Sequence, residues 1–221
     1  MKSADTQFHS RILTTDTELK YGYRLRYRVF VEQCGFEPAN ESRFESDDYD
    51  KRAVHIGLLR KDSAPPLSLP IGYLRLVLPN HEPPSSLPGQ QAYASQPEAA
   101  EKFNELADAG ALEVSRICKQ RKTPTSAMLY LQACAMVLGT RLGVENSIAV
   151  MEPAYARQLG FAGIELQQIA PLVNYHGKRA GYMIPTKQAS FARRHRSYMR
   201  EAAKDVEGNL QRIVVPQVNF A

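Results

Sequence analysis

Three charged residues stand inside stretches that are otherwise apolar. Arg75 interrupts Ile-Gly-Tyr-Leu-Arg-Leu-Val-Leu, and Glu113 and Arg116 interrupt Leu-Glu-Val-Ser-Arg-Ile-Cys. Burying an unpaired charge costs on the order of several kcal/mol, so each needs a partner or a task. A carboxylate held this way is a candidate proton acceptor, and a guanidinium can grip a carboxylate with two parallel hydrogen bonds. A fourth charge, Arg26, falls about 20° from Leu19 on a helical wheel, between Tyr23 and Phe30, while Arg24 and Arg28 point away. Arg26 therefore calls for a carboxylate from elsewhere in the fold. The acidic run Phe44-Glu45-Ser46-Asp47-Asp48-Tyr49-Asp50 has three uses open to it: a solvated loop, partners for Arg26 and Arg75, or a seat for a cationic amine.

The elements that must position these residues can be drawn from periodicity. A short strand around Arg11 to Leu13 precedes Thr15-Asp16-Thr17-Glu18, whose spacing predicts a capping box and a helix carrying Leu19, Tyr23, Tyr27, Phe30 and Cys34 on one stripe before Gly35 stops it. Val54 to Lys61 and Ile71 to Leu78 read as a hairpin. Prolines crowd the next stretch, so 79–97 reads as an irregular surface excursion of the kind that often borders a substrate site. A helix over Pro97 to Ala109 and a strand over Ala111 to Lys119 come next, and on that strand alternation puts Glu113 with Ser115 and Arg116 with Leu112 and Val114. A central, nearly all-apolar helix should begin at Thr123-Pro124 and run to Leu142, with Thr123 as its cap. Then come a strand at Ser147 to Met151, a short helix at Tyr155 to Leu159 closed by Gly160 with Phe161 returning to the core, strands at Gln167 to Tyr175 and Arg179 to Ile184, and a basic helix at about 187–204. This order predicts an α/β protein with one mixed sheet covered by helices on both faces, a single domain over 1–221.

The composition of the 221 residues, 43% hydrophobic and 23% charged, is that of a globular chain and excludes a disordered or fibrous one. No apolar run approaches the roughly 18 to 20 residues that span a bilayer, and MKSADTQFHS lacks the apolar centre of a signal peptide, so a cytoplasmic protein without an integral membrane segment is expected. Cys34, Cys118 and Cys134 lie in apolar segments without metal-ligand spacing, which predicts buried thiols and no metal site. The net charge of +5 is uneven: Lys187, Arg193, Arg194, Arg196 and Arg200 fall in one acid-free stretch, which is either a solvated helix face or a surface for an acidic partner. A nucleic-acid partner would leave Arg75 and Glu113 unexplained, and no nucleic-acid-binding motif is present, so none is expected.

Taken in order, Arg26-Tyr-Arg-Val-Phe30, Asp47-Asp-Tyr-Asp50, Gly72-Tyr-Leu-Arg75-Leu and Leu112-Glu113-Val-Ser115-Arg116 resemble the acyl-homoserine lactone synthases. The series is still more similar to their relatives, the long-chain N-acyl amino acid synthases and the exosortase-associated (PEP-CTERM system) acyltransferases. In the C-terminal half, Ala154-Tyr155-Ala-Arg-Gln-Leu159-Gly160-Phe161 is similar to a helix and turn of GNAT acetyltransferases. The glycine-rich pyrophosphate loop usual in coenzyme A-dependent GNAT enzymes is replaced by Cys118-Lys-Gln-Arg-Lys-Thr-Pro-Thr-Ser126. Phe36 stands roughly where the lactone synthases have a tryptophan.

The resemblance implies a GNAT-like acyl-CoA N-acyltransferase fold and transfer of a fatty acyl group from an acyl carrier protein thioester to the amine of an amino acid or similar small acceptor. Its alternatives are a coenzyme A-dependent N-acetyltransferase, and a lactone synthase using S-adenosylmethionine. No bound cofactor is implied; acyl-carrier or acyl-CoA enters as donor substrate. By the same resemblance Glu113 takes a proton from the amine, with Ser115 and Arg116 beside it at the catalytic centre. Arg26, Phe30, Asp47, Asp50 and Arg75 form the acceptor site. The donor's phosphopantetheine arm lies near Ile117, Cys118, Lys119, Arg121 and Lys122, where exposed N–H groups at the helix start can hold one phosphate. The acidic carrier protein would dock on basic residues there and on the last helix.

Overall fold

The computed structural model describes residues 7–61, 69–79, 86–188 and 193–213. Strand β1 (Phe8–Leu13) leads into helix α1 (Asp16–Arg26), opened by the expected capping box: the Thr15 hydroxyl accepts the Glu18 N–H, and the Glu18 carboxylate accepts the Thr15 N–H. The helix does not run on regularly to Cys34. Over Tyr27–Gln33 it widens to π geometry, which adds a residue per turn and rotates the side chains beyond it. Phe30 stays half-buried, but Cys34 ends exposed, contrary to the single-stripe reading. Gly35, at φ +65°, closes the turn.

A 3₁₀ turn (Asp48–Arg52) enters β2 (Ala53–Arg60), which pairs antiparallel with β1 and β3 (Gly72–Val77). The stretch expected as surface excursion instead returns to the interior. Leu87, Gly89 and Tyr93 are buried around a short helix, α2 (Gly89–Ala92), and Tyr93 stacks on Phe103 of α3 (Pro97–Asp108). Proline density masked two large apolar anchors here. Gly89 is required by this packing, since a Cβ there would stand 2.6 Å from the Phe103 ring.

After Gly110 (φ +84°), β4 (Leu112–Lys119) pairs antiparallel with β3 and in parallel with β5 (Asn146–Met151). Between them α4 (Ser126–Arg141) crosses one face, starting two residues later than expected. Thr125 precedes it, and Thr123 sends its hydroxyl to the Ile71 carbonyl instead of capping. Helix α5 (Pro153–Phe161) extends beyond its expected ends. The left-handed residue is Gly163, not Gly160, so Phe161 is 87% exposed and Ile164 re-enters the core in its place. Strands β6 (Gln167–Asn174) and β7 (Lys178–Pro185) form a hairpin, and α6 (Arg193–Glu207), starting later than the basic stretch suggested, is followed by a 3₁₀ turn (Leu210–Arg212); residues 189–192 and 214–221 lie outside the described ones.

The strands form one sheet in the order β1-β2-β3-β4-β5-β7-β6, antiparallel except at β4–β5. Side chains alternate across it. Ile56, Leu74, Leu76 and Val114 face α4 and α6, while Val77 and Ile148 face α2 and α3, and Leu13, Tyr73 and Cys118 meet α1. The fold is thus the expected mixed α/β sheet covered on both faces, a GNAT-like fold.

Candidate active site

Two irregularities in β4 create the site. The first is a β-bulge. Tyr73 pairs with Cys118 but Arg75 pairs with Ser115, so one residue is inserted, and Arg116 adopts φ +51°. Strict alternation would send Arg116 to the face of Leu112 and Val114, as read from sequence. The bulge instead turns it toward the acids around Arg75. The second irregularity is a splay: β4 and β5 pair only at Leu112↔Ser147 and Glu113↔Ile148, and beyond that register the strands part. The gap opens a cavity of about 380 Å³, walled by Val114, Ser115, Arg116 and Ile117 of β4, Ala149 to Met151 of β5, Met128 and Gln132 of α4, and Tyr155 of α5. Phe30, Phe36, Glu37, His176 and Arg179 also line it.

On one side of this cavity lies a network of arginines and carboxylates. Arg26, fully buried on α1, donates through Nε to Glu45 and through Nη1 to Asp50 (2.6 Å). Arg75, fully buried on β3, donates Nη1 to Asp47 (2.6 Å) and Asp50 (2.8 Å), and Nε to the Ser115 hydroxyl (3.0 Å). Arg116 donates to Glu45 (3.0 Å), Glu37 (3.4 Å) and Asp47 (3.5 Å). Asp47 thus bridges two arginines with its two oxygens. The acidic run is fixed locally by a reciprocal cap, in which Asp47 accepts the Tyr49 N–H and Asp50 accepts the Asp47 N–H. Burial alone would raise the Asp50 pKa, but Arg26 and Arg75 overcome it and hold the group below the ordinary carboxylate value. Asp50 is buried with both oxygens engaged, so it orders the arginines rather than meeting an incoming amine, which narrows its expected role.

Glu113 behaves in the opposite way. It is 2% exposed and, among the described residues, accepts one hydrogen bond, from the Gly89 N–H at 2.7 Å. Burial pushes its pKa up to about 7, against the pull of that N–H and of Arg75, Arg116 and Arg52. A carboxyl poised near neutrality can accept a proton and release it again. Glu113 is not among the cavity-lining residues, whereas Ser115, two residues along the strand, is.

At the mouth, Phe30 stacks with Phe36 and carries Arg116 over its ring, while Phe36 meets His176 and Arg179. Of the residues expected near the donor, Ile117 lines the cavity. The Cys118 side chain turns instead into the core beneath α1, and burial lifts its thiol to about 12, so it offers no nucleophile. Lys119 ends β4, and Arg121 and Lys122, both exposed, sit on the turn before α4, next to a helix start with no side-chain cap. Among the described residues no three His, Cys, Asp or Glu side chains are grouped to hold a metal ion, and no helix is long and apolar enough to cross a membrane.

Sequence reasoning missed Glu37, His176, Arg179, Gln132 and Gly89, and offered Glu45 only as one member of the acidic run. Gln132 was visible as the lone amide in an apolar helix. The hairpin residue His176 and the partner role of Gly89 carried no local signal.

A splayed parallel pair leaves room for an acyl thioester, and a buried carboxyl raised toward neutrality can take up a proton, the chemistry that acyl transfer requires. Residues 25–132 match the model of the acetyltransferase (GNAT) domain, a span just under half of the chain that runs from the end of α1 into α4. That match implies acyltransferase activity. No curated protein matches it by sequence. Among solved structures, TofI in a ternary complex with an inhibitor and MTA aligns with a TM-score of 0.60 at 21% identity, covering 81% of this chain and 92% of that one. FeeM, an N-acyl amino acid synthase from uncultured soil microbes, aligns at 0.60 and 15% identity over 84% and 93%. BjaI, a CoA-dependent acyl-homoserine lactone synthase with SAM and isopentyl-CoA, aligns at 0.60 and 18% over 91% and 89%. These likenesses establish the shared fold.

Proposed function

We propose that the protein is a cytoplasmic N-acyltransferase that moves a fatty acyl group from an acyl carrier protein thioester to the amine of an amino acid or similar small acceptor. The observation that carries this reading is the arginine–carboxylate network set directly against an apolar-ended cavity between splayed strands. The network suits a small zwitterionic acceptor, with Asp47 toward its ammonium and Arg116 toward its carboxylate, and the cavity suits an acyl chain.

The reaction is aminolysis. The amine nitrogen attacks the thioester carbonyl, the C–N bond forms, the tetrahedral oxyanion collapses, and the C–S bond breaks to release the carrier thiol. The bound ammonium first gives one proton to solvent; Glu113 then takes the second proton of the attacking nitrogen through a water at Ser115, and that proton ends on the departing sulfur. Backbone N–H groups of β4 beyond the splay serve the oxyanion. The bulge at Arg116 keeps that guanidinium beside the reacting atoms, and Arg26, Arg75 and Asp50 fix its acid partners. Lys119 at the end of β4 and the turn bearing Arg121 and Lys122 hold the single phosphate of phosphopantetheine at the start of α4.

A coenzyme A donor is the second reading, favoured by the structural likeness to BjaI, a CoA-dependent synthase. Assignment of the product to an exosortase system rests on the four sequence motifs alone. Mass spectrometry of lipid extracts from cells expressing the wild type and Glu113→Gln tests the proposal. A series of N-acylated amines confined to the wild type is expected; identical extracts from both would contradict the assignment.

A further inference from the structure

Helix α4 is apolar on nearly every side, yet Gln132 sits in its middle at 1% exposure, and its Nε2 has no hydrogen-bond partner among the described residues. Leaving a buried amide unpaired is costly. The positions one turn to either side, Met128 and Met136, carry apolar side chains of similar volume. Gln132 is also part of the cavity wall, beside Met128, Met151 and Tyr155. The Tyr155 hydroxyl is directed to the Met128 carbonyl (3.4 Å). Counted from Ser126, Gln132 lies about 9 Å down the helix from the end where the donor phosphate would sit, amid apolar lining suited to an acyl chain.

We infer that Gln132 reads a hydroxyl on the donor's acyl chain, so that the preferred donor is a hydroxylated acyl thioester, of which the 3-hydroxyacyl thioester is the simplest. An amide side chain can present either its oxygen or its nitrogen to the cavity, and a hydroxyl, which both donates and accepts, satisfies either end. A saturated chain satisfies neither. The inference rests on the proposed function, because it takes the cavity as the acyl pocket.

The test titrates wild type and Gln132→Leu with 3-hydroxydecanoyl-pantetheine and decanoyl-pantetheine by calorimetry, without acceptor amine, and records the melting temperature of both proteins. Wild type should bind the hydroxylated probe roughly tenfold or more tightly. Gln132→Leu should lose that preference while binding the saturated probe at least as well, and should melt no lower, since it removes an unpaired amide. A hydroxyl preference that survives in Gln132→Leu would overturn the inference. Equal weakening of both probes would overturn it too, placing the amide on the pantetheine arm, as would a clear fall in melting temperature, which would show that the amide is already paired. If wild type binds both probes equally, the acyl pocket stands and the hydroxyl reading falls. If it binds neither, the acyl-thioester reading of the cavity falls, and this inference with it.

Discussion

Glu113 and Asp50 are both buried carboxyls, and their neighbours drive them apart. Two arginines within 2.8 Å keep Asp50 ionised, whereas Glu113 has one backbone N–H and more distant guanidiniums, and rises to about 7 from an ordinary 4.5. The two effects of that rise have opposite signs in pH. Catalysis needs the carboxylate, so kcat/KM should climb to a plateau above about pH 7, and a flat profile across pH 5.5–8.5 would exclude Glu113 as the base. Stability goes the other way. The folded state favours the neutral acid, so this group's contribution is complete below about pH 4.5 and is lost as pH rises through about 7. Glu113→Gln should therefore match the wild type in urea denaturation near pH 4.5 and exceed it at pH 8 by about 3 kcal/mol. The residue types of this site were legible because charges in apolar segments are conspicuous: Arg26, Arg75 and Glu113 could be picked out, and the need of Arg26 for a carboxylate was physical necessity. That Glu45 and Asp50 both answer it could not be read, since four acids within six positions are equivalent in one dimension.

At the scale of elements, strands and helices were found in the right order because their periodicities are strong, and the errors fall where a backbone irregularity intervenes. The π turn over Tyr27–Gln33 and the bulge at Arg116 each shift a side chain off its regular face, and each lies at the cavity. Neither leaves a compositional mark. Helix α2 was hidden for another reason: four residues cannot show a period, and their stability comes from Leu87, Tyr93 and Phe103. Gly89 makes this dependence testable. Its missing Cβ leaves room for Phe103 and Val150, at 2.6 and 3.0 Å from where that atom would be, and its N–H holds Glu113. Gly89→Ala should lower stability by about 1–3 kcal/mol in chemical denaturation, and adding Phe103→Leu should recover part of the loss. No loss in the single variant would show that the packing around α2 is loose.

Across the whole molecule, charge is segregated. The acids Glu37, Glu45, Asp47, Asp50 and Glu113 are gathered around the site, while exposed Arg121 and Lys122 flank the start of α4 and exposed Arg196 and Arg200 lie four apart on α6. The side chains of Arg193 and Arg194, also expected in the docking cluster, lie outside the described ones. An acidic carrier would be steered by such a surface in a salt-dependent way. Reversing Arg121 and Lys122, or Arg196 and Arg200, should raise KM for an acyl-carrier donor roughly tenfold at low salt and leave the melting temperature unchanged. An unchanged KM in both double variants would remove the docking role.

The central claim is acyl transfer from a thioester to a small amine with Glu113 as base, and the most direct measurement is product formation by purified protein. Wild type and Glu113→Gln would be incubated with acyl-carrier and acyl-CoA donors, each against a mixture of amino acids, and the products weighed by mass spectrometry. The account predicts N-acyl amino acids from the wild type, faster from the carrier-bound donor, with the variant slower by roughly a hundredfold or more. Equal rates from wild type and variant, or no N-acylated product from either donor, would contradict it.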